Sequence, residues 1–116
     1  MASSREYLDF ILEQLSGLER IAYRAMMGEF ILYYRGKIVG GIYDDRFLVK
    51  PTKSALERMP DASREIPYEG AKEMLLVDDP DDRDFLERLL NAMVDELPEP
   101  KPGKSRSVPA KGGGRG

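Results

Sequence analysis

Four side chains of this sequence carry groups able to bind or transform a ligand: Arg24, Tyr33, Tyr34 and Lys50. A guanidinium suits bidentate recognition of a carboxylate, and the neighbouring phenols invite stacking or hydrogen bonding to a ligand. Such groups make a small-ligand site, or an enzyme of unidentified substrate, on one condition: they must line one concave pocket. The plainer expectation is structural. A half-buried Arg24 pairs with an acid and pins a turn, because arginine is rarely buried unpaired. Aromatics on alternating strand positions pack against cross-strand neighbours. Tyr33 and Tyr34 are adjacent, so their side chains leave opposite faces of a strand and only one can join the main core. The other is free for a partner, which makes Arg24, Tyr33, Tyr34 and Lys50 equally a candidate interaction surface.

Two further clusters resolve into structure. Gly40-Gly41 lacks the G-x-G-x-x-G spacing and the strand-to-helix context of a phosphate cradle. Within a strand pattern it marks a bulge or a close backbone approach. The acidic run Asp78-Asp79-Pro80-Asp81-Asp82-Arg83-Asp84 has no glycine at the sixth loop position and is interrupted by proline, which speaks against a calcium loop. The same residues make a good helix start. No metal or cofactor site is expected. The chain has no histidine, cysteine or tryptophan, which removes the usual neutral-pH base and most zinc and thiol chemistry.

The length of 116 residues fits one domain. Charge divides it unevenly. Residues 98–116 carry Lys101, Lys104, Arg106, Lys111 and Arg115 against Glu99, a net of +4, so the whole-chain net of −3 leaves −7 on residues 1–97. An acidic body repels phosphate backbones and argues against direct nucleic-acid binding by 1–97. The 98–116 segment holds four prolines and five glycines with a lone valine, a composition expected to stay disordered. The first six residues contain no apolar signal segment, and no apolar run reaches the ~20 residues of a membrane span. These features, with the lack of cysteine, point to a cytoplasmic protein.

The elements that must position the candidate groups follow from periodicity. Leu8, Ile11, Leu12 and Leu15 make a helical stripe behind a capping box of Ser3 and Glu6, with Gly17 as a left-handed stop. Strands are expected at 21–26, 29–34, 37–43 and 46–50, with turns at Met27-Gly28, Arg35-Gly36 and Asp44-Asp45. Thr52 caps a short helix whose Leu56 and Met59 are buried. A loop follows from Met59 to Gly70, then a strand at 73–77. Asp79 is placed as the N-cap of the last helix, with Pro80 at its first position. Phe85, Leu86, Leu89, Leu90, Met93, Val94 and Leu97 form its apolar face. The resulting class is α+β, an antiparallel meander with helices on one face, in the order α-β-β-β-β-α-β-α.

Arg24-Ala25-Met26-Met27-Gly28, the hairpin Tyr33-Tyr34-Arg35-Gly36-Lys37, and Leu48-Val49-Lys50 resemble the N-terminal domain of the TfoX/Sxy family, with Met27 in place of the usual phenylalanine. Ile66-Pro67-Tyr68-Glu69-Gly70 is similar to that family's aromatic segment before the last strand. The resemblance spans about residues 4–97. It implies a secretion-chaperone-like α+β fold and a link to bacterial competence genes through transcriptional regulation. Full-length regulators carry a second helical domain where this chain has its 98–116 segment, which implies a single-domain form. No catalytic residue carries over. The combined expectation is a non-enzymatic, TfoX-like protein-interaction module with an unidentified protein partner. An open strand edge adds the expectation of a homodimer.

Overall fold

The computed structural model describes residues 3–98. The expected boundary at 97/98 falls at its end, and the segment expected to be disordered lies, from residue 99 on, outside the described residues. Helix α1 (Arg5–Gln14) is capped by Ser4, whose hydroxyl accepts from the Tyr7 amide at 3.0 Å. The cap is therefore one residue later than expected, because Ser3 has another task. Its hydroxyl donates to Glu29 Oε1 at 2.6 Å and its amide to the Gly28 carbonyl at 2.9 Å. Glu29 Oε1 also accepts from the Asp44 amide, and Asp45 Oδ1 accepts from the Ser4 amide. The start of α1 thus clamps two turns together. Gly17 is not left-handed; the positive φ after α1 falls at Arg20 (φ 67).

Strands β1 (Ile21–Met26), β2 (Glu29–Tyr34), β3 (Lys37–Ile42) and β4 (Phe47–Val49) form the meander. Each connection has two central residues at positive φ: Met27 (53) and Gly28 (86), Arg35 (54) and Gly36 (80), Asp44 (54) and Asp45 (55). That is the type I′ arrangement, whose twist matches that of antiparallel strands. After α2 (Lys53–Arg58), capped by Thr52 as expected, come β5 (Arg64–Glu65), β6 (Met74–Leu76) and α3 (Arg83–Val94). The sheet order is β1-β2-β3-β4-β6-β5, antiparallel throughout. The α+β class with an antiparallel sheet is thus the observed one, with β5 added to the expected order. Two residues are too few to show period-2 alternation, so β5 hides inside a loop-like sequence.

The N-cap of α3 is Asp82, which accepts from the Phe85 amide at 3.1 Å, not Asp79. Residues 79–82 form a turn closed by the Asp82 amide on the Asp79 carbonyl. Pro80 fits that turn as well as it would fit a first helical turn. In α2 the fully buried residue is Ala55, while Leu56 and Met59 are half-buried at its margin.

All three helices pack on one face of the sheet. Leu8, Ile11 and Leu15 of the α1 region meet Leu86, Leu89, Leu90, Met93 and Val94 of α3 over Leu32, Tyr34, Ile42, Phe47, Val49 and Leu75. Leu97 completes this core. The register shifts between Leu32 and Tyr33, where Val39 is the extra residue of β3, a bulge that keeps Val39 on the core side. Next to it, β3 and β4 approach closely. A Cβ on Gly40 would overlap the Leu48 carbonyl oxygen and lie 2.8 Å from Val49 Cα. Backbone on the central ladder cannot yield as a side-chain tip can. Gly40→Ala should therefore cost about 3 kcal/mol or more, read as a lowered denaturant midpoint at unchanged m-value.

Candidate interaction surface

The register assigns every strand residue to a face, because directly paired residues share one. On β1 and β2, Tyr23, Ala25, Phe30, Leu32 and Tyr34 face the helices; Ala22, Arg24, Ile31 and Tyr33 face away. The candidate set is divided accordingly. Tyr34 is in the core, 2 % exposed, with its hydroxyl donating to Asn91 Oδ1 at 2.6 Å and the Arg35 guanidinium 5.1 Å from its ring centre. Tyr33 is half-buried on the other face, paired with Ala22 and Ile38. Arg24 is exposed beside Ile31 on that same face. Among the described residues its side chain makes no hydrogen bond or ion pair, so the acid expected to pin it is not there. Lys50 follows β4, half-buried, its amide bonded to the Val39 carbonyl at 2.9 Å. The structure brings Arg24 and Tyr33 together and sends Tyr34 to the opposite side.

The helix-free face has two halves. Around β4 and β6 it is covered: Tyr43, Leu48 and Met74 form a small second core, and the Tyr43 ring lies 6.1 Å from that of Tyr68. Gly41 makes room for this cover, since a Cβ there would sit 2.7 Å from Tyr43 Cε2. Around β1 to β3 the face is bare, with Arg24, Ile31, Tyr33 and Ile38 side by side and Ile38 39 % exposed. Beyond it project Met26 (39 %) and Met27 (95 %). The Arg24–Gly28 segment holds the expected turn at Met27-Gly28, but Arg24 is exposed rather than half-buried and the whole segment lies at the surface. A type I′ turn of two residues leaves its first side chain no sheet to lie on.

Two grooves lie at and beyond the C-terminal end of α1. One, of about 540 Å³, is apolar and lined by Leu12, Leu15, Leu18, Ile21 and Tyr23 among others. The second holds Arg20, Tyr34, Arg35 and Asn91. Neither contains Arg24, Tyr33 or Lys50, and Tyr34 lies on the opposite side of the sheet from Arg24 and Tyr33, so the four do not line one pocket. Among the described residues no cluster of three or more acidic side chains could hold a metal ion. None of their helices is long and apolar enough to cross a membrane.

No family model matches the chain, and no solved structure matches it. It is 33 % identical over 108 residues to the uncharacterized 12.7 kDa protein in the trpE 5′ region of Spirochaeta aurantia, covering 92 % of this chain and 94 % of that protein. The chain belongs to that protein's family. A match of that extent takes in the bare sheet face and the hairpin tip.

Sequence reasoning singled out Arg24 and Tyr33 but passed over Ile38 and the tip residue Met27. The signal was available: the two-residue turn at Arg35-Gly36 pairs Ile38 directly with Tyr33 and so puts both on one face. Tyr43 has a measurable signature. Burial raises its phenol pKa above the ordinary value, and Tyr68, Glu29 and Tyr33 add in the same direction. A folded-state pKa above the unfolded one means stability that is complete below the ordinary phenol range of about 10 and is lost as pH rises through the folded value. Melting temperatures measured from neutral to strongly alkaline pH should fall less steeply in Tyr43→Phe than in the wild type.

Proposed function

We propose that this chain is a non-enzymatic protein-interaction module of the TfoX-like kind, and that its contact surface is the bare half of the sheet. The observation that carries this reading is the grouping of Arg24, Ile31, Tyr33 and Ile38 on one uncovered face. Arginine and tyrosine dominate binding energy at interfaces, most of all where apolar neighbours exclude water around them. Arg24 has no intramolecular partner among the described residues, so its fork is free for a carboxylate on another protein. Tyr33, held at its base by Ala22 and Ile38, presents a stiff aromatic edge.

The resemblance carried by Arg24–Gly28 and Tyr33–Lys37 supports a role in transcriptional regulation in the cytoplasm of a bacterium. In this reading the regulation runs through a protein partner, because the described body is acidic and a basic nucleic-acid surface is not what it offers.

The test uses the full chain as bait from its native host. The wild type should capture a stoichiometric partner, and Tyr33→Ala with Arg24→Glu should reduce that capture at least about tenfold at unchanged melting temperature. Loss of the gene should change transcript levels of a defined set of genes. Undiminished capture by the double variant, or turnover of a small molecule that Tyr33→Ala abolishes, would refute the proposal.

A further inference from the structure

Strand β1 forms one outer edge of the sheet, and its backbone polarity can be read residue by residue. The Arg20 carbonyl accepts from the Arg35 amide at 3.1 Å. In an antiparallel ladder, bonded positions alternate. Ala22, Arg24 and Met26 therefore bond to Tyr33, Ile31 and Glu29, and the N–H and C=O groups of Ile21, Tyr23 and Ala25 point away from the sheet. Among the described residues none of these groups has a backbone partner. The edge also lacks the usual defences. It is six residues long, has no proline, lysine or bulge, and carries one charge, Arg24. The opposite edge, β5, is defended by its length of two residues.

We propose that β1 pairs antiparallel with β1 of a second copy, across a two-fold axis at Tyr23, to make one continuous sheet. Two observations select this partner and this register. A second copy offers the same three outward donors and acceptors, and the axis at Tyr23 matches Ile21 with Ala25 of the other copy, Tyr23 with Tyr23, and Ala25 with Ile21. An axis at Arg24 would set two guanidinium groups directly opposite, which is destabilising; at Tyr23, Arg24 faces Ala22 instead. The helices of both copies lie on the same side, and the two bare faces join into one larger surface.

The experiment combines sedimentation equilibrium with cross-linking of the full chain. The wild type should show a concentration-dependent dimer. Ala25→Pro removes an outward N–H and no bond to β2, so it should weaken the dimer about ten- to a hundredfold while the monomer melts as before. The chain has no native cysteine, so single-cysteine variants report the register alone. Tyr23→Cys should oxidise to a covalent dimer, since directly paired Cα atoms lie about 5.5 Å apart, within disulfide reach. Arg24→Cys should not, because its counterpart is diagonal at about 7–8 Å. A wild type that stays monomeric up to about 1 mM, or Arg24→Cys cross-linking as readily as Tyr23→Cys, would overturn the proposal. It stands apart from the partner-binding reading: Ala25→Pro should leave partner capture intact, and Tyr33→Ala should leave the dimer intact.

Discussion

The close approach of β3 and β4 at Gly40 is the constraint on which the rest of the molecule depends. With no side chain there, the Leu48 carbonyl and Val49 Cα can lie against the β3 backbone. The bulge at Val39 follows directly and tightens the local twist. It also sets which side chains face the helices. Because of the extra residue, Val39 and Gly40 both lie on the core side, so that Ile42 shares the helix face with Lys37 and Val39, while Ile38 pairs with the outward Tyr33. Lys37 then reaches the C-terminal end of α3, donating to the Val94 carbonyl at 2.9 Å, where a cation complements the helix dipole.

A sheet with all three helices on one face has to do something with the other. Half of that face is closed by the chain itself through Tyr43, Leu48, Met74 and the ring of Tyr68. The remaining half, with the β1 edge beside it, is left to solvent or to other proteins. The clamp of Ser3, Ser4, Glu29 and Asp45 holds the two turns at one end of β1 to β4 in fixed relation. That rigidity keeps the cost of ordering the surface on binding low.

Much of this was legible from residue types. The leucine spacing of α3 set its buried face, and each two-residue turn was marked by Gly28, Gly36 or paired aspartates. What escaped has a common cause. Ser3 and Ser4, or Asp79 and Asp82, are chemically equivalent as caps, and the choice between them is made by distant partners such as Glu29 and Asp45. The exposure of Met26 and Met27 escaped because an apolar residue beside a strand pattern reads as core, whereas an edge strand has little to bury against. The separation of Tyr33 from Tyr34 was certain from strand geometry; which of them turned inward depended on the helices.

Amide hydrogen exchange along β1, followed as protein concentration rises, tests the account at its centre. Ala22, Arg24 and Met26 should be protected at every concentration by their bonds to β2. Ile21, Tyr23 and Ala25 should exchange freely when dilute and become protected together as the protein is concentrated. If these three exchange at one fast rate throughout, β1 is not a pairing edge. If they are already protected at high dilution, the outward orientation of their backbone groups is wrong, and the account falls with it.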